Sequence, residues 1–167
     1  LLPQVLGEGY HTIERAIAEN LSWQLLAALL VAKMLATCVS LGSGGSGGIF
    51  APCLFIGAVL GGALGEVFQV AAPSLIAGSG AYALVGMGAM VAGTTHAPLS
   101  AIVILFELTG DYHIILPIMI ACTISTLLSS TLTNRESVYS LKLRRRGILI
   151  RRGRDHTVME RLRVADV

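Results

Sequence analysis

Residues 42–52 read GSGGSGGIFAP, a glycine-rich turn running directly into an apolar helix start. The flanking segments on both sides are mostly apolar, with one charged residue each (Lys33 and Glu66), and about twenty residues long, roughly what a bilayer span requires. Loose backbone at membrane depth is tolerated only where protein buries it or where it lines a cavity. Free backbone N–H groups at a helix N-terminus, with no Lys or Arg beside them, suit a small anion that must later leave.

The same turn invites two other readings. Residues 42–47 fit GxGxxG, with Glu66 downstream at about the spacing of a ribose ligand. A dinucleotide site, however, needs a β-strand before the turn and a βαβ unit around it. A Leu/Ala-rich segment of membrane length precedes it instead, and no Walker lysine follows. The enzyme reading is rejected. A plain Gly/Ser linker would normally join soluble modules. This one joins two apolar segments and ends in IFAP, where Phe50 can hold the backbone against its neighbours.

Composition points to a membrane protein. Of 167 residues 54% are hydrophobic and 13% charged, against the roughly 25% charged residues of soluble domains. Mean hydropathy is +0.74. Between residues 21 and 134 the charged side chains are Lys33, Glu66, Glu107 and Asp111, whereas from Arg135 onward Lys and Arg outnumber Asp and Glu ten to four. This basic tail follows the last apolar segment and has no aromatic residue after Tyr139. The positive-inside rule accounts for it through Arg144, Arg145, Arg146, Arg151 and Arg152, which put the C-terminus in the cytoplasm. Nucleic acid is not expected as a partner. Cys38, Cys53 and Cys122, like the four histidines, are scattered without metal-ligand spacing, so neither a metal nor a cofactor is expected. No signal peptide precedes the first apolar run, and the opening LLPQVLGEGY reads as a connection entered midway through a longer protein.

Residues 9–20 predict a short amphipathic helix with Ile13 and Ile17 on one face. Residues 21–41 predict a span, in which Lys33 must snorkel or face other protein. Residues 49–72 predict a second long helix with Pro52 in its first turn, where a missing N–H is harmless. Gly57, Gly61 and Gly65 recur every fourth residue, a stripe that admits another helix at close range. Residues 81–92 and 98–108 read as half-spans separated by residues 93–97, as in transporters with broken helices. Asp111 is expected to cap a helix over 112–132, with Pro117 near its start. A last short helix is expected over 137–145. The sum is an all-α, polytopic membrane protein with broken, re-entrant helices.

GSGGSGGIFAP resembles the anion-binding signature of the CLC family of chloride channels and proton/chloride antiporters. GMGAMVAGTTHAPLSAIVILFELTGDY from Gly86, IILPIMIACTIS from Ile114 and ESVYSLKLRRRG from Glu136 follow in the family's order. The resemblance implies that residues 1–146 form the C-terminal half of the CLC transmembrane domain, one inverted repeat of the fold. It implies that 147–167 form a cytoplasmic linker leading toward CBS domains. It further implies that the backbone amides of Ile49 and Phe50 and the Tyr139 hydroxyl contact chloride, within a homodimer embedded in the lipid bilayer. Read from its residues alone, Tyr139 is better taken as an interfacial-belt tyrosine. Glu107 and His96 are expected to be structural, Glu107 at a helix end or subunit contact and His96 at a helix entrance.

Magnitudes indicate that this half-site is incomplete. Moving a small ion into a low-dielectric interior costs on the order of 20 kcal/mol in the idealised limit. One helix terminus returns roughly 0.3–2 kcal/mol. Further donors must come from elsewhere. In the family they include a GSGIP-type turn and a glutamate-bearing G(K/R)EGP turn of the N-terminal repeat, and neither occurs in this sequence. The function expected is transmembrane chloride transport, with channel and exchanger both open. The alternative is a non-transporting fragment that serves only assembly or dimerisation.

Overall fold

The structure, a computed structural model, describes residues 7, 9–18, 22–44, 48–71, 78–133 and 136–145. The basic residues from Arg146 on, the proposed linker 147–167 and the turn residues 45–47 lie outside the described residues. The helices are α1 (Tyr10–Ile17), α2 (Trp23–Gly42), α3 (Phe50–Ala71), α4 (Ser79–Thr95), α5 (Pro98–Thr109), α6 (Ile115–Leu132) and α7 (Val138–Arg145). Among the described residues there is no strand. By length and composition α2, α3 and α6 can each cross a membrane. The all-helical, multi-span reading stands.

The core lies where α3 and α4 press together. Phe55, Ala58 and Val59 of α3 and Ala83 and Ala92 of α4 are wholly buried. The glycine stripe is the reason for this closeness. A Cβ built on Gly57 would fall 2.5 Å from the Gly86 carbonyl oxygen, and one on Gly65 would fall 2.9 Å from Cα of Ser79. At Gly61 the Cβ would overlap the Tyr82 carbonyl. Backbone therefore meets backbone along three turns of α3, as the spacing predicts.

The amphipathic α1 buries Ile13 and Ala16 and leaves Glu14 exposed. In contrast α2, α5 and α6 turn apolar side chains outward, among them Val39, Leu99 and Leu132. Water would penalise such faces, whereas lipid or another apolar protein surface would accept them.

Two boundaries differ from expectation. α4 is not a half-span ending at Ala92, for it continues through Gly93, Thr94 and Thr95 over 17 residues. Thr94 and Thr95 donate their hydroxyls back to the carbonyls of Met90 and Val91, at 2.8 Å each, which satisfies them inside an apolar helix. Gly93 is kept because Ser125 packs where its side chain would be. The true break is His96, left-handed at φ 57°, followed by Ala97 and by Pro98 at the start of α5.

The second difference concerns Asp111. Its Oδ1 accepts from the His113 N–H at 2.8 Å. The aspartate thus caps a turn, and α6 begins only at Ile115. Pro117 is the third residue of α6, where it displaces no helical hydrogen bond.

Hydroxyls fasten α6 to α4. Ser125 donates to Ala89 O at 2.7 Å and Ser129 to Gly93 O at 2.6 Å. Ser129 has spent its only proton there, so in the 3.2 Å contact with His96 the imidazole Nε2–H is the donor. His96 is therefore structural, as expected. It closes the C-terminus of α4 and ties that end to α6.

Candidate anion site

α2 ends by ordinary helix chemistry. Ser43 N–H reaches Val39 O at 2.9 Å, the Ser43 hydroxyl donates to Ser40 O at 2.9 Å, and Gly44 takes a left-handed φ of 84°. Gly48 and Ile49 lead into α3. The first helical bond of α3 runs from Cys53 N–H to Ile49 O at 3.0 Å. Ile49 is thus the residue before the helix, and Phe50, Ala51 and Pro52 fill its first three positions.

This arrangement determines which donors face outward. Helix geometry leaves the first-turn N–H groups without intrahelical acceptors. Pro52 has no N–H, so the open set is Ile49, Phe50 and Ala51. Residues that usually cap such a set carry a side-chain oxygen. Ile49 carries none. Its side chain and that of Phe50 instead pack, half-buried, against the core cluster, which holds the terminus in place.

The terminus is braced from behind. Cys53, Leu54 and Phe55 are buried, and the Thr94 hydroxyl lies 3.6 Å from Cys53 Sγ, linking the end of α4 to the first turn of α3. No Lys or Arg occurs between Lys33 and Arg135, so no cationic side chain belongs to the terminus itself, whose own charge is the partial charge of its backbone.

Tyr139 stands on a different element. It is the second residue of α7, which the Ser137 hydroxyl starts by accepting from the Ser140 N–H at 3.3 Å. Tyr139 as a residue is half exposed. α7 rests on α4, and α4 in turn packs along α3. Ile49 and Phe50 are thus adjacent at one terminus, while Tyr139 stands on a separate helix, α7, that touches α4.

Glu107 is exposed in the last turn of α5, where Phe106 meets Tyr112 edge to face at 5.1 Å. Among the described residues no group of three or more His, Cys, Asp or Glu side chains could hold a metal. Sequence reasoning missed the pairing of Lys33 with the Gly7 carbonyl and the Phe55 ring. The only signal available was a lysine inside a membrane-length segment.

The described residues define an all-helical fold with three membrane-length helices, in which the start of α3 follows an apolar residue, Ile49, and packs against the core. The family model described as voltage gated chloride channel matches residues 1–130, and the chain belongs to this CLC family. It is 42% identical over 144 residues to a protein of Ralstonia nicotianae described as chloride channel protein ClcB-like, covering 86% of this chain and 33% of that protein. It is 39% identical over 143 residues to the H(+)/Cl(-) exchange transporter ClcA of Salmonella agona, covering 86% of this chain and 30% of that one. The crystal structure of a slow cyanobacterial Cl-/H+ antiporter superposes with a TM-score of 0.74 at 33% identity, over 80% of this chain and 31% of the antiporter. The chain thus spans about a third of the length of these relatives.

Proposed function

We propose that this chain supplies one half of a chloride-transporting pathway. In this reading the Ile49 and Phe50 amides and the Tyr139 hydroxyl form a transient coordination shell. The observation that carries the reading is the start of α3, where an apolar residue precedes the helix and proline removes one of the first-turn N–H groups. Among the described residues, Gly48 and Ile49, which lead into the helix, carry no side-chain oxygen that could accept from these donors. Dipoles rather than full cations hold the ion, so binding is weak enough for release, as conduction requires.

Residues 1–146 act as the C-terminal repeat, and an N-terminal repeat of the same protein completes the shell. Residues 147–167 leave the membrane on the cytoplasmic side, and two copies assemble as a homodimer. Chloride is the transported ligand, and no cofactor takes part. Relatives named as a channel protein and as an exchanger both match, so the mode of transport is left to measurement.

Chloride efflux from liposomes bearing the full-length protein tests this reading, run with and without a proton gradient. Efflux above that of empty liposomes is expected. Its coupling to protons marks an exchanger, and its indifference to them a channel. Efflux no greater than from empty liposomes would sink the reading.

A further inference from the structure

Lys33 lies inside the membrane-length α2 yet is only 4% exposed. An ionisable side chain in such a segment is costly, and it persists where specific partners and a function hold it. Its Nζ donates to the Gly7 carbonyl at 2.7 Å and stands 4.9 Å from the centroid of the Phe55 ring. Phe55 is wholly buried and belongs to α3, five residues beyond Phe50. At 1.5 Å per residue the ring is about 7.5 Å along the axis from the amide terminus.

The ring is held on another side as well. Gly9, at φ 80°, approaches it so closely that a Cβ would fall 2.5 Å from Cδ2 of Phe55 and 3.7 Å from Lys33 Nζ. Backbone before α1, a lysine from α2 and a ring from α3 therefore meet at one point. A close-packed interior transmits displacement instead of absorbing it. Whatever fixes this ring therefore bears on where the first turn of α3 sits.

We propose that Lys33 is a positioning residue for the anion site, setting the α3 terminus through the face of Phe55. This rests on the chloride reading given above. Supporting side chains at metal sites typically change affinity about 10- to 100-fold, and the effect here is expected near the lower end, about tenfold.

The test is chloride affinity by calorimetry on the full-length protein, with melting temperature measured alongside. Lys33→Met is expected to weaken binding about tenfold, while Lys33→Arg, which keeps a donor and a cation over the ring, stays near wild type. Phe55→Leu is expected to weaken binding too, and adding Lys33→Met to it should cost little more. Such coupling and rescue would not arise from a general loss of packing.

Wild-type affinity in Lys33→Met, equal weakening in Lys33→Arg, or full additivity in the double variant overturns the proposal. Should Lys33→Met fail to fold, Phe55→Leu decides, and unchanged affinity there overturns it. A wild-type protein that binds no chloride removes the chloride reading and this inference together. A wild type that binds, with both variants unchanged, removes only the role of Lys33.

Discussion

Phe50→Pro is expected to weaken chloride binding about a hundredfold, the scale on which a single oriented donor acts in an oxyanion hole. Proline is well suited to the first helical position, so α3 should still start there. What disappears is the Phe50 N–H. The preceding residue is pushed toward extended backbone, which a residue before a helix adopts readily. Losing the half-buried ring is a separate effect, and Phe50→Ala isolates it by removing the ring while keeping the amide. Calorimetry on the two full-length variants should find Phe50→Ala within about threefold of wild type if the amide is the donor that matters. Equal losses would show that the ring, not the backbone, supports binding.

Gly61→Leu is expected to abolish the folded protein. Any side chain at Gly61 would run into the Tyr82 carbonyl, a backbone atom that cannot turn aside. α3 and α4 would have to separate along the contact that holds the core, at a cost of about 3 kcal/mol or more. Gly62 is the control. A Cβ there would lie 3.6 Å from the flexible end of Leu26, in ordinary contact, so Gly62→Ala should fold and melt near wild type. Size-exclusion profiles and melting curves in detergent check both. A monodisperse, normally melting Gly61→Leu protein would contradict the close α3–α4 contact.

The features legible in the sequence were those with local periodicity. The glycine spacing in α3 predicted a close partner, and α4 fills that role. The apolar runs placed α2 and α3 to within two residues, because length and Gly/Ser punctuation bound them on both sides. Family membership was readable from four motifs in order. The end of α4 was misread because Gly93, Thr94 and Thr95 look like helix breakers in a list of residues. Within an apolar bundle, threonine hydroxyls bond back to the helix, and a glycine makes room for Ser125. Asp111 was read as a helix cap, since sequence does not distinguish a capped turn from a capped helix. The partners of Lys33 were hidden for another reason, as Gly7 and Phe55 are brought to it only by folding. Tyr139 lies on α7, close to the helix expected over 137–145.

Anomalous diffraction from crystals of the full-length protein grown in bromide tests the central claim most directly. A bromide peak is predicted within hydrogen-bonding reach of the Ile49 and Phe50 amide nitrogens, with the Tyr139 hydroxyl turned to the same ion. Bromide bound elsewhere in the pathway, with none at those amides, would contradict the account.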